Sequence, residues 1–206
     1  MALDTQKFVA GLINQGITHL CVVPCSFAKD VINEAINNPK IEYLPCASEA
    51  VACSIAAGLK MADKKPLVIV QSSGLTNMGS CITSLLKPYE VTFPILTSWR
   101  TYKAGDSEIQ HQHLAIALPA LIEAYGYNAE VLNNTCLDTA LAQIDELNSS
   151  FKIGVIEKDS FTKIELLPEH QLDLSQLTPR SEFLTWLNKE YANSNRLFIG
   201  TTGNAA

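Results

Sequence analysis

PLVIVQSSGLTNMGSCITSLLKP, residues 66–88, decides the architecture. Residues 67–71 read as a strand, apolar through Val70, in the pattern of a parallel sheet buried on both faces. A turn of Gln71-Ser72-Ser73-Gly74-Leu75 follows, and residues 76–86 have the spacing of a helix. Upstream the same unit repeats. A helix capped by Asp4 carries Phe8, Val9, Leu12 and Ile13 and ends near Gly16. Residues 18–23 are a strand, Pro24-Cys25-Ser26 a turn and residues 27–36 a helix; 41–45 are a short strand and 48–61 a helix of small residues. Downstream come a strand at 92–98, a helix at 114–125, and a strand–helix–strand unit at 128–132, 137–147 and 153–156. Alternation of this kind predicts an α/β fold, a doubly wound and mainly parallel sheet flanked by helices.

Residues 157–180 change character, becoming charged and weakly patterned with two prolines. They read as a linker that wraps the surface. Residues 181–191 are helical in pattern, and residues 196–200 look like a further strand leading to Thr201-Thr202-Gly203.

Composition narrows the function classes. With 206 residues, 47% hydrophobic and 17% charged, the chain can bury an ordinary core. A formal net charge of −6 argues against nucleic acid as the main partner. No apolar run is long enough to cross a membrane, and Met1 to Lys7 lead into an amphipathic helix rather than a signal peptide. The six cysteines, Cys21, Cys25, Cys46, Cys53, Cys81 and Cys136, lack CxxC spacing. They read as small buried hydrophobes in a reducing compartment, with the cytoplasm as the simplest location and no zinc site.

Glu49 stands out chemically. Between Glu42 and Lys60 it is the only charged residue, surrounded by Pro45, Cys46, Ala47, Ala50, Val51, Ala52 and Cys53. Two readings stand side by side: an acid in the first turn of a helix capped by Ser48, or a proton-handling group held away from water. Ligands of doubly wound sheets gather beyond the carboxyl ends of the strands. Ser26, Glu49, Ser73, Gly74 and Arg100 all fall just past predicted strand ends. The segment TSWRTYKAGDSEIQHQH adds Lys103, His111 and His113, cations suited to an anionic ligand if the loop is more than a solvated one.

Five pieces in order, VVPCS (22–26), CASEAVACSIAAGLKMA (46–62), QSSGLTNMGSCITSL (71–85), Trp99-Arg100 and Gln110-His111, carry a family likeness. Over roughly residues 5–160 the chain resembles the pyrimidine-binding domain of thiamine-diphosphate enzymes, in particular the phosphonopyruvate and sulfopyruvate decarboxylase branch. It departs from the usual family pattern at Val22-Val23-Pro24, at Ser48-Glu49-Ala50 and at QSSGLTN, where that pattern has GVP, NEG and QNSGxGN.

The resemblance implies thiamine diphosphate as cofactor, with Glu49 as the acid that activates its aminopyrimidine. It implies further cofactor contacts from Pro24, Gln71, Ser73, Gly74, Leu75 and Asn77, and substrate contacts from Ser26, Arg100 and His111. A small anionic 2-oxo acid is the implied substrate, and Mg2+ the second cofactor, with ligands expected outside this chain segment. Gly105-Asp106-Ser107 with Asn133-Asn134 imitates a GDG…NN magnesium signature but sits in the wrong structural context, so no metal ligand is assigned here. The implied organisation is a pyrimidine-binding domain at 1–160, a linker and connecting helix at 161–194 and the start of a diphosphate-binding domain at 195–206. The expected partner is a diphosphate-binding domain or subunit, or further copies in a homo-oligomer. The alternatives are a thiamine-diphosphate carboligase and a non-catalytic pyrimidine-domain-like binding module.

Overall fold

The computed structural model describes residues 2–101, 109–173 and 175–196. It divides into two compact units, Met1–His170 and Gln171–Ala206. The first holds a six-stranded, all-parallel sheet in the order β2-β1-β3-β4-β6-β5. Its strands are β1 (His19–Val22), β2 (Glu42–Pro45), β3 (Pro66–Val70), β4 (Ile95–Ser98), β5 (Asn128–Val131) and β6 (Lys152–Ile156).

β3 shows why the sheet takes this form. All five of its residues are buried. Leu67 and Ile69 enter one core while Val68 and Val70 enter the other. The period-two alternation of a strand delivers apolar side chains to both faces, and both faces are covered by helices. On one side lie α1 (Thr5–Asn14), α2 (Lys29–Asn37) and α7 (Leu137–Leu147). On the other lie α3 (Glu49–Met61), the helical run from Ser72 to Leu86, and α6 (Gln112–Ala124). Each reversal in the direction of strand addition moves the crossover helix to the opposite face, as a single crossover handedness requires.

The chain leaves β1 toward β2 and leaves β3 toward β4, on opposite sides. The carboxyl ends of β1 and β3 therefore diverge and open a crevice at the topological switch point.

Two predicted helices differ in detail. The one expected over 76–86 begins at Ser72 and changes winding three times: α4 (Ser72–Leu75), a 3-10 turn (Thr76–Met78), α5 (Gly79–Cys81) and a π-helical stretch (Ile82–Leu86). Leu75, Met78, Ile82 and Leu86 are all essentially fully buried, and the varied winding keeps these four on the core. The helix expected over 114–125 starts at Gln112 and contains Pro119. Of the cysteines, Cys21, Cys25 and Cys53 are buried as expected, Cys46 and Cys81 are partly covered, and Cys136 is exposed.

Residues 161–167, expected as the opening of a linker, are tied onto the first unit. Leu3 accepts a hydrogen bond from Thr162 N at 2.8 Å. Asn33 Nδ2 donates to the Ile164 carbonyl at 2.7 Å, and Asp30 Oδ1 accepts from Ile164 N at 2.9 Å. Asn37 holds Glu165 O and Leu167 N, both at 2.9 Å. Asp30, Asn33 and Asn37 share one face of α2, so a single polar stripe binds the strap. In the second unit, α8 (Arg180–Tyr191) carries Phe183 and Trp186 with ring centroids 5.8 Å apart. The strand expected at 196–200 and Thr201-Thr202-Gly203 lie, beyond Arg196, outside the described residues.

Asn33→Ala should leave the Ile164 carbonyl without its buried donor, at a cost of about 1–3 kcal/mol. Urea unfolding should show the loss, and trypsin should cut faster at Lys163. Unchanged stability and unchanged cleavage would contradict the strap.

Candidate functional site

α3 begins where the sequence places Glu49. Ser48 has extended backbone and its hydroxyl accepts from Val51 N at 3.4 Å, so Ser48 caps the helix and Glu49 occupies the first turn. The capping reading is thus correct as far as it goes. It does not account for the side chain, which runs across to the β3–α4 turn.

A Cβ built on Gly74 would lie 2.0 Å from Glu49 Oε1, 2.3 Å from Cδ and 2.4 Å from Cγ. The glutamate side chain fills the space that any other residue at position 74 would occupy. On the same carboxylate, Oε2 accepts a hydrogen bond from Asn77 Nδ2 at 2.8 Å. A helix-end acid that only complemented the dipole would have no reason to be held by the following βα unit. Glu49 is half-buried here, open to solvent at the mouth of the crevice rather than sealed in a dry pocket.

A second group lies at the carboxyl ends of β1 and β4. Arg100 is 6% exposed, and its Nη1 donates to Ser26 Oγ at 2.6 Å. The guanidinium carbon lies 4.7 Å from the centroid of the Phe27 ring. Stacking on an aromatic face and a short hydroxyl contact stabilise a cation that burial alone would penalise. Thr101 follows with a φ of 61°, a left-handed conformation that β-branched residues rarely adopt, so the chain turns sharply after Arg100.

Between the two groups, Gln71 Nε2 lies 2.8 Å from Ser73 Oγ and 3.4 Å from His111 Nε2. His111 is 9% exposed, whereas His113 is exposed, so the HxH pair does not converge.

Among the predicted site residues, Glu49, Gly74 and Asn77 come together, as do Gln71, Ser73 and His111, and Ser26 with Arg100. Pro24 is exposed just past β1. Leu75 differs: its side chain is fully buried in the core, leaving only its backbone to meet a ligand. Lys103 and Gly105-Asp106-Ser107 lie outside the described residues. Asn133 Oδ1 accepts from Thr135 N at 2.9 Å and Cys136 N at 2.7 Å, which makes it a local turn residue.

Two supporting residues, Phe27 and Trp99, had no role assigned from the sequence, Trp99 being named only within the Trp99-Arg100 pair. Phe27 was read only as a helix residue. Trp99 anchors the Arg100 turn: its Nε1 donates to the Ala115 carbonyl at 2.9 Å. Ala115 is four residues before Pro119, whose missing N–H leaves that carbonyl without its helical donor. A tryptophan preceding the arginine and a proline inside an apolar helix were the available signals.

The aminopyrimidine of thiamine diphosphate is a fair test of this geometry, since it needs a carboxylate, flat backbone and amide groups on one wall. Glu49, Gly74, Gln71, Ser73 and Asn77 supply that set at the switch point.

Residues 5–118 match the family model described as thiamine pyrophosphate enzyme, N-terminal TPP binding domain. The chain is 32% identical over 149 residues to the phosphonopyruvate decarboxylase of Streptomyces viridochromogenes, an alignment covering 72% of this chain and 36% of that protein. It is 31% identical over 111 residues to sulfopyruvate decarboxylase subunit alpha of Methanothermobacter thermautotrophicus, covering 53% of this chain and 67% of that subunit. The chain therefore spans about a third of the longer relatives and two thirds of the separate subunit. In fold it is similar to the thiamine diphosphate-dependent 4-hydroxybenzoylformate decarboxylase of Rhodococcus jostii, with a TM-score of 0.53 and 15% identity over 94% of this chain and 38% of the other. By its sequence match across more than half its length, and by its fold, the chain belongs to the N-terminal TPP-binding domain family of thiamine pyrophosphate enzymes.

Proposed function

We propose that this chain is the pyrimidine-binding part of a thiamine-diphosphate-dependent decarboxylase acting on phosphonopyruvate, sulfopyruvate or a related small anionic 2-oxo acid. The observation that carries the reading is the Glu49 carboxylate seated on Gly74 and held by Asn77. Thiamine diphosphate, when bound, supplies the thiazolium carbon that stabilises an acyl carbanion. Glu49 would hold the aminopyrimidine of that group and share a proton with it. Asn77 orients the carboxylate, Gly74 lets backbone and carboxylate approach the same ring, and Gln71 and Ser73 offer polar contacts beside it. Pro24 and the Leu75 backbone complete the cofactor wall.

Arg100, Ser26 and His111 are the substrate side of the site. A keto acid with a phosphonate or sulfonate tail carries two anionic groups, and a guanidinium suits tetrahedral oxyanions. The relatives named above, two decarboxylases of such acids, support the same substrate class.

Glu49 is half-exposed in this chain, so a water-excluding cover has to come from a partner. A diphosphate-binding domain or subunit, which would also bring the Mg2+ ligands, fits that need. Val51 and Ile55 on the outer face of α3, 42% and 39% exposed, offer apolar area for a second copy. Six free thiols suit a cytoplasmic setting.

In the assembled holoenzyme, Glu49→Gln should lower cofactor-dependent turnover by about 10²–10⁴-fold, the usual scale for a lost proton-transfer group, with little change in Tm. Gly74→Ala should give a similar loss, because the new methyl displaces the Glu49 side chain while the helical backbone at 74 accepts alanine. Near-normal turnover in either variant would sink the assignment of Glu49 and favour a binding module.

Arg100→Lys keeps the charge but loses the fork and the ring stacking. KM for sulfopyruvate or phosphonopyruvate should rise by about ten- to a hundredfold, the worth of one charge-assisted hydrogen bond. Pyruvate, with one anionic group, should respond less. Equal effects on all three acids would remove Arg100 from tail recognition.

A further inference from the structure

Glu49 and Asn77 are one rung between α3 and the helical run after β3, and they stand 28 positions apart in sequence. One helical turn further along each helix come Cys53 and Cys81, again 28 positions apart. The two helices run in the same direction, so the second pair is the next rung of the same ladder, about 6 Å along the axis. The contacts agree. Cys53 lies in the core between α3 and the sheet, Cys81 packs against that core, and Ser54 Oγ lies 3.7 Å from Cys81 Sγ. α3 packs directly against α5, the short helix that ends at Cys81.

We propose that Cys53 and Cys81 form a reversible disulfide across α3 and α5, a modification site that sets the helix spacing one turn from the Glu49–Asn77 hydrogen bond. The neighbouring acid takes no part in forming the bond, which stands whether or not the decarboxylase reading holds.

The two sulfurs are chemically unequal in the way such a reaction needs. The Cys53 thiol beside it, with a smaller contribution from Ser54, pulls the half-buried Cys81 thiol down to about 7. Cys53, fully buried beside Cys81, is pushed well above the ordinary thiol range by that neighbour and by burial. Near neutral pH Cys81 is therefore the nucleophile and Cys53 the resolving partner. With a peroxide as oxidant, the Cys81 thiolate attacks one peroxide oxygen and the O–O bond breaks. The other oxygen leaves as water after taking a proton, and Cys81 becomes a sulfenic acid. The Cys53 sulfur then attacks the Cys81 sulfur and its S–O bond breaks. The hydroxyl departs with the Cys53 proton as a second water, so two thiols have lost two electrons and the peroxide has gained them. A disulfide holds its Cβ atoms about 3.5–4.5 Å apart, closer than two thiols in van der Waals contact require. The shift is felt at the adjacent rung, where Asn77 meets Glu49.

The test treats the intact chain with hydrogen peroxide under native conditions, followed by proteolysis and mass spectrometry. The expected product is an intramolecular peptide pair joining Cys53 to Cys81 and lighter by two hydrogen atoms, lost on reduction with a phosphine. Cys81→Ser should abolish it, and Cys136→Ser, which removes the exposed thiol, should leave it unchanged. The Asn77 side-chain amide signal in NMR should move on oxidation of the wild type and stay still in Cys81→Ser. If oxidation falls on Cys136 alone, or Cys53 or Cys81 is joined instead to a different cysteine, the pair is not the site. A crosslink that forms without moving the Asn77 signal would overturn the link to the Glu49 rung. Cys81→Ser is preferred to a Cys53 variant because Cys81 is only half-buried, so its replacement leaves the core filled.

Discussion

The close approach of α3 to the turn after β3 is the constraint on which the rest of the site depends. At Gly74 no side chain is present, and the Glu49 side chain takes its place. That approach is possible because the buried face of α3 consists of Ala52, Cys53, Ala56 and Ala57, whose short side chains bring the helix close to the sheet. Larger residues on that face would lift α3, and the carboxylate would lose both its seat and its bond to Asn77. The placement of the Glu49 carboxylate is therefore a consequence of packing one and two turns further along the same helix.

A second interlock sets the other wall. Pro119 removes one helical N–H from α6 and leaves the Ala115 carbonyl available, and the Trp99 indole supplies the missing donor. The substitution of one donor for another binds the end of β4 to the helix across from it. Arg100 follows immediately and is held by Ser26 and Phe27 from the end of β1. A buried guanidinium with no such partners would cost several kcal/mol. Here the neighbouring loop stabilises it and fixes where its charge points.

Both walls meet at the place where strand order reverses, and the reversal follows from the connections. β1 leads outward to β2, the chain returns to β3, and the divergence of the two loops leaves room for a ligand. The strap at residues 161–167 is tied to the polar stripe of α2, on the other helical layer from α3.

Much of this was legible in the amino-acid order. Continuous apolar runs such as residues 67–70 can be satisfied only between two helical layers, and alternating helices make a parallel sheet the natural outcome. Glu49, isolated among small apolar residues beside a predicted strand end, was visible as a candidate for the same reason. What the sequence could not decide was which residues would touch. The winding changes between Ser72 and Leu86 arise because four core side chains must stay buried, and local spacing does not report that. Leu75 entered as a cofactor contact through the resemblance, and the folded turn buries its side chain in the core and leaves its backbone for a ligand. Phe27 under Arg100 and Trp99 on Ala115 join segments 73 and 16 residues apart, and only the folded backbone brings such pairs within reach. Local pattern determined the elements and the faces they bury; tertiary packing decided which polar groups became partners, because hydrogen bonds and stacking depend on distances that no one-dimensional spacing contains.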